Sequence, residues 1–215
     1  MNEYECEIWA NHIKTRLINI VDNRPYVFKD TKRKSAEEYL TRRKQFLGMS
    51  YTEIQTLEHQ LSLSLPLIFK AYLRVMGRKQ GLLFWGSESN PDAFMEYRIW
   101  AEEIIQEDQI SSFLNPKSVI FMFHQGFAFR YFEVTSPRTD TPVWKYLQHH
   151  GGLQFESQSF KDYIESEISR SEGLNNKERD KGGYYLIVGD KGGYRSEFPK
   201  TNNEIPLLIG DRFIR

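Results

Sequence analysis

A chain of 215 residues that is 40% hydrophobic and 27% charged can build a core of its own and is not a disordered tail. Its 29 basic and 29 acidic side chains cancel to zero formal charge, which argues against a whole-surface polyanion binder, because such binding needs a cationic surface. The longest unbroken apolar run, Val119 to Phe123, is far short of a membrane span, and the single cysteine, Cys6, excludes an intrachain disulfide and a Cys-rich zinc site.

The first residues are acidic, so no secretory signal is read there and the expected location is the cytoplasm. Ile8, Trp9, His12, Ile13, Leu17 and Ile20 recur at three- and four-residue spacings and predict a first helix. Asp22 to Pro25 predicts its stop. From Arg24 to Lys44 there are eight basic residues against three acidic ones, interleaved with Tyr26, Phe28 and Tyr39. Ser35 with Glu38 fits a capping box, so a helix is expected through Tyr39 and Phe46.

Gly48 breaks that pattern, and Ser50 with Glu53 is a second capping box ahead of Ile54, Leu57 and Leu61. Pro66 suits the first turn of a further helix with a wide apolar surface (Ile68, Phe69, Tyr72, Leu73, Val75, Met76), which Gly77 is placed to end. Gly81 to Gly86 reads as a short strand. Asn90 and Pro91 open the clearest amphipathic helix, with Phe94, Tyr97, Ala101, Ile104 and Ile105 on one side and Asp92, Glu96, Glu103 and Glu107 on the other. Val119 to Phe123 and Phe127 to Val134 are aromatic and β-branched and flank His124-Gln125-Gly126, a hairpin pattern. Pro142 to Tyr146 predicts a third strand. Ser159 is placed to cap a helix through about Ser169 that turns Phe160, Tyr163, Ile164 and Ile168 inward, and Ser171 to Asp180 is expected to be a polar, mobile stretch. Asp-Lys-Gly-Gly-Tyr occurs at 180–184 and again at 190–194, and Tyr184 to Val188 with Tyr194 to Phe198 predicts a hairpin. The apolar 205–209 tail is expected to dock.

Catalytic motifs are missing: there is no Gly-x-Ser-x-Gly elbow, no His-Glu-x-x-His, and no Gly-Lys-[Ser/Thr] phosphate loop. His149-His150 reads as a solvated loop rather than a metal site, because adjacent residues on a strand point apart. Glu5 and Glu7 beside Cys6 raise a thiol pKa and oppose a reactive thiolate. Neither a cofactor nor a metal is implied. Two clusters carry more weight. The basic run from Arg24 to Lys44 fits phosphate contacts with aromatic stacking, or a solvated helix face. From Glu88 to Asp108 there are seven acidic residues against one basic, Arg98, with Trp100 between Glu96 and Glu103, a pattern that suits an interface with a basic partner or a merely solubilising face.

Thr52-Glu53-Ile54, Leu57-Glu58, Leu65-Pro66, Tyr72-Leu73 and Gly77 resemble the opening helical signature of the SUKH superfamily of Smi/Knr-type cell-wall regulators and bacterial toxin-immunity proteins. The order continues: Phe127 to Phe132 is similar to the family's central strand, Thr141 to Tyr146 to its Pro-Val-aromatic strand, and Ser159-Phe160 through Ile164 to its closing helix. The resemblance spans roughly 50–169. It departs from the family at Met76-Gly77-Arg78, where Asn-Gly-Gly is usual, and at Glu133, where the family commonly has aspartate.

The resemblance implies an α+β fold, a mixed and largely antiparallel sheet with helices packed on one side, to which the residue patterns outside it add an N-terminal helical extension and a C-terminal β-hairpin. One domain over 1–215 is then expected to divide into the extension 1–45, a SUKH-like core 46–170 and the hairpin extension 171–215. It also implies a non-catalytic protein-binding role, with a cognate toxin domain (a nuclease or deaminase) as partner, no membrane partner, nucleic acid disfavoured, and a monomer or weak homodimer. The residues expected at the partner are Trp85, Glu96, Trp100, Glu103, Glu107 and Trp144, with occlusion of the toxin as the mode of action. Three alternatives stay open: a nucleic-acid module using Arg24 to Lys44, a regulatory scaffold for another cellular protein, and an enzyme pairing His59 or His124 with a distant carboxylate.

Overall fold

The computed structural model describes residues 1–23, 38, 40–84, 87–109, 114–135, 138–150 and 152–173 in full, and the backbone alone of Tyr26–Phe28, 174–180, Tyr184–Val188 and Tyr194–Glu197. Expectations that fall on Ser35, Trp85 and the 205–209 tail lie outside the described residues.

Helix α1 (Glu3–Asp22) starts at a capping box: Asn2 Oδ1 accepts from the Glu5 N–H at 2.9 Å, and Glu5 accepts from the Asn2 N–H at 2.8 Å. Its buried side is Cys6, Trp9, Ala10, Ile13, Leu17, Ile20 and Val21. Ile8 and His12 face solvent instead, one position off the expected stripe. Burial, above all, pushes the Cys6 thiol up, so it is a packing residue.

Backbone strand β1 (Tyr26–Phe28) follows. The helix expected through Phe46 ends by Arg43: the Lys44 and Gln45 N–H groups bond back to Thr41 and Arg42, and Phe46–Leu47 forms strand β2. Helix α2 (Tyr51–Leu61) carries the Ser50–Glu53 capping box in full. The Ser50 backbone N–H first, then its hydroxyl and Arg78, hold the Glu53 carboxyl at about 2. Because that is below its ordinary 4.5, the stability it adds is complete above pH 4.5 and is lost as pH falls towards 2. Urea midpoints of native protein and Glu53→Gln should therefore converge across this window. A gap that stays constant with pH would contradict the assignment.

Helix α3 (Leu67–Met76) buries Ile68, Phe69, Ala71, Tyr72, Leu73 and Met76, and Gly77 caps it. Pro66 sits at its N-cap, one residue before the first turn. The expected strand at 81–86 is instead a turn over 81–84, with strand β3 (Lys79–Gln80) just before it, paired antiparallel with β2. Gly81 and Phe84 both have positive φ, which bends the chain, and Leu82, Leu83 and Phe84 are all buried without alternation. Arg78 ties two helix starts together through Glu53, at 3.0 Å, and Asp92.

A short 3₁₀ turn (Pro91–Ala93), capped by Asn90, leads into α4 (Phe94–Glu107). Strands β4 (Ser118–His124), β5 (Ala128–Glu133), β6 (Val143–Leu147) and β7 (Leu153–Ser157) form an antiparallel meander in that order. The expected hairpin and third strand are present. The fourth strand was not foreseen, although Gly151-Gly152 followed by Leu-Gln-Phe-Glu is a turn and an alternation. Helix α5 (Phe160–Asp180) follows, with Ser159 accepting from the Asp162 N–H and Asp140 accepting from the Phe160 and Lys161 N–H groups. It runs straight through the stretch expected to be mobile. Ser171 is buried, and Glu172 is held by Arg16 of α1 at 2.7 Å.

Backbone strands β8 (Tyr184–Val188) and β9 (Tyr194–Glu197) form the expected antiparallel hairpin, and β8 pairs in parallel with β1 in a separate sheet. The fold is α+β.

One extra residue in β4, Phe121, breaks the pairing register between Ile120 and Met122. Its ring joins Phe69 of α3, Phe132 of β5 and Phe160 of α5. These helices, with α1 packed against both, make the main helical layer on that face of the meander. Phe129 lies three residues from Phe132 and so on the opposite face. It stacks on Phe123, which meets Tyr97 and Trp100 of α4, so α4 closes the second face.

Candidate functional site

The buried side of α4 is the set its spacing predicted: Phe94, Tyr97, Ala101, Ile104 and Ile105. The Tyr97 hydroxyl accepts from the Asn90 N–H at 3.0 Å, and burial pushes its pKa up to about 12. Trp100 is half-buried, its ring 5.5 Å from Tyr97 and 5.6 Å from Phe123. It is packed into the base of the helix more than it projects.

What α4 does project is an apolar pair that the sequence reading missed. Met95 and Ile99, one turn apart, are 49% and 56% exposed. Along one side of them stand Glu96, Glu103 and Glu107, all exposed. The helix's single cation does not neutralise them. Arg98 pairs with Glu102 at 2.9 Å and donates to the Asn115 carbonyl at 3.1 Å. Among the described residues, neither Glu96 nor Glu103 has an ion-pair partner, while Glu107 accepts from Gln148 at 3.2 Å. The overlooked signal was two large apolar residues at i, i+4 on the polar side of an amphipathic helix.

The C-terminal end of α4 is clamped. Asp108, its side chain 2% exposed, accepts at Oδ2 from the Tyr146 hydroxyl and from the His149 N–H at 2.8 Å, and its Oδ1 lies 2.7 Å from His149 Nδ1. The Tyr146 bond, then those from His149, holds the Asp108 carboxyl below the usual carboxylate range. His149 is at φ +62, a conformation that Asp108 braces, while its ring is 77% exposed. This long-range triad is not visible in local sequence pattern. No group of three potential metal-ligating side chains comes together among the described residues.

Trp144 is half-buried and meets Phe155 edge-on at 5.5 Å, with Phe155 46% exposed. Two residues from Tyr146, Trp144 shares the sheet face on which α4 lies. The structure thus gathers Glu96, Trp100, Glu103 and Glu107 on one helix and puts Trp144 on the same side of the sheet; Trp85 lies outside the described residues.

Of the basic segment's eight cations, Arg42, Arg43 and Lys44 are described, and the other five lie outside the described residues. Arg43 is wholly buried, and Lys44 pairs with Asp22 at 2.7 Å, leaving Arg42 exposed. As to the histidines, His59 is exposed on α2. His124 is buried at the end of β4, shares a 2.8 Å hydrogen bond with the Ser87 hydroxyl, and is held below its ordinary pKa by burial and by Arg130.

No family model matches the chain, and no match is found among curated proteins. The likeness to the SUKH pattern rests on the residues themselves. Ile54, Leu57, Leu65, Tyr72, Leu73, Phe132, Val143, Phe160 and Ile164 are all buried, so that likeness bears on packing rather than on a partner.

Proposed function

We propose that the chain is a non-catalytic, intracellular protein-binding module, an immunity protein of SUKH type that neutralises a cognate bacterial toxin by occluding its active or substrate-binding surface. The supporting observation is the outer side of α4: an exposed Met95–Ile99 pair bordered by Glu96, Glu103 and Glu107, which have no ion-pair partner among the described residues. An apolar centre inside a charged rim is the anatomy of a protein interface. The charge complement of the rim is a basic surface, the kind that a nuclease offers to its polyanionic substrate. Trp100 packs inward against Tyr97 and Phe123, and Trp144 lies on the sheet face that α4 covers.

Among the described residues no helix is long and apolar enough to cross a membrane, which suits a partner met away from a bilayer. The testing experiment is capture with the full chain, followed by co-expression with the toxin domains encoded beside its gene. Recovery of a basic toxic domain with growth restored supports the reading. A captured regulator with no toxicity to relieve would overturn the immunity reading in favour of a scaffold.

A further inference from the structure

A second site lies apart from α4. An open cleft of about 310 Å³ is walled by Arg42, Gln45, the β3 residues Lys79 and Gln80, Gly81, Leu83 and Phe84 of the turn that follows, and Ser87 and Ser89. Among the described residues, two cations line it and no carboxylate does. Glu88 lies between the two serines in sequence, but its backbone is paired with Phe123 and it is not part of the wall.

The cleft is built, not incidental. Gly81 forms part of it at φ +60, and a Cβ there would lie 2.3 Å from the Phe46 ring and 2.7 Å from the Arg43 carbonyl oxygen. Phe84 takes a second positive φ, +55, uncommon for an aromatic residue, and such strain concentrates at sites of function. Gln80 and Ser89 satisfy each other: the serine hydroxyl donates at 2.6 Å, and the amide returns a bond to the Ser89 carbonyl at 3.1 Å. Ser87 is anchored on His124. The cations, in contrast, are hardly engaged. Lys79 has a long 3.4 Å bond to Gln45, and Arg42 has no ion pair among the described residues.

We propose that this cleft binds a phosphate group, clasped between Arg42 and Lys79 with Ser87 adding a hydroxyl contact. Guanidinium and ammonium donors that line one cleft with no competing carboxylate among the described residues select an anion, and a Ser87 hydroxyl that accepts from His124 Nδ1 keeps its own proton for a phosphate oxygen. The volume is at the small end for ligand sites, so the group belongs to a mononucleotide-sized ester or to the end of a strand. No cleft residue is on α4, so this assignment stands or falls separately from the toxin-binding face.

The test is calorimetric titration of the full chain with inorganic pyrophosphate, with AMP, and with a short 5′-phosphorylated single-stranded oligonucleotide. Binding should weaken with added salt, and Arg42→Gln with Lys79→Gln should weaken it by about tenfold or more, the scale for losing charge-assisted hydrogen bonds. Both side chains are exposed, and Lys79→Gln alone is the second variant should the pair melt lower. AMP and the oligonucleotide binding alike would assign a free ester; a tighter oligonucleotide with a steeper salt slope would assign a strand. No binding by any probe at millimolar concentration, or native affinity in the variants, would overturn the proposal.

Discussion

Phe69→Ala should destabilise the protein by about 3–5 kcal/mol, at the upper end for core truncations. Phe69 is fully buried, and its ring meets rings from four further elements and from its own helix. It stacks on Tyr72 at 5.6 Å, meets Phe132 of β5 edge-on at 4.8 Å and Phe160 of α5 edge-on at 5.1 Å, and reaches Phe94 of α4 and Phe121 of β4 at 6.2 Å. Aromatic pairs of this geometry add about 0.5–1.5 kcal/mol each beyond their buried area, and one truncation removes all of them at once. The neighbours cannot collapse into the space, because they are fixed on a sheet and on helices that pack against each other. For a chain of this length the loss corresponds to a fall in Tm of about 10 °C. Phe69→Leu, which keeps more of the volume, should fall by less than half as much. Thermal and urea melts read both. An alanine variant melting within about 2 °C of native protein would contradict the view that this ring joins the two layers.

The second large effect is expected at Gly48. A Cβ on Gly48 would lie 1.7 Å from the Arg74 carbonyl oxygen and 2.5 Å from its carbon. The obstacle is the backbone of α3, so no side-chain rotation relieves it. Nor can the segment back away at small cost. The Met49 N–H donates to the Leu73 carbonyl at 2.9 Å, the Arg78 N–H to the Leu47 carbonyl at 2.8 Å, and Arg74 to the Met49 carbonyl at 2.7 Å. Overpacking alone costs about 1–3 kcal/mol, and each bond broken to make room adds about 0.5–1.5 kcal/mol. Gly48→Ala is therefore expected to lose about 3 kcal/mol or more and to melt about 10 °C lower. Gly126→Ala is the control: nothing lies within 4 Å of its added Cβ, though its φ of +81 adds some strain. A Gly48→Ala melt no lower than that of Gly126→Ala would contradict the close docking of this segment on α3.

What sequence reading recovers here is whatever rests on period and caps. The Ser50–Glu53 box and the buried side of α4 come out residue for residue, because a capping pair and a 100° stripe are local signals. The reading fails where tertiary contacts decide. Phe46 continues a helical stripe in sequence but pairs with Gln80 in a two-residue strand. Gly81 to Gly86 reads as a strand because four apolar residues stand between glycines, yet positive φ at Gly81 and Phe84 turns Leu82 to Phe84 into the core. Ser171 looks like the start of a polar linker, but Arg16, more than 150 residues away in the chain, holds the neighbouring Glu172. At the candidate site, the carboxylates were legible as charge on one helix side. The Met95–Ile99 pair was overlooked because an amphipathic helix is read for its apolar stripe, and apolar residues off that stripe pass as noise.

The most direct test of the recognition face is growth rescue from a cognate toxin by native protein, by Ile99→Asp, and by a charge-reversed variant carrying Glu96→Lys, Glu103→Lys and Glu107→Lys. All four positions are exposed, so each variant should keep the native Tm. Loss of a central apolar anchor is worth about 2 kcal/mol, roughly a thirtyfold weaker complex, and reversal of the rim should slow association with a basic partner by more at low salt. The account predicts rescue by native protein and its loss in both folded variants. Folded variants that rescue as well as native protein would place the partner elsewhere on the molecule and contradict it.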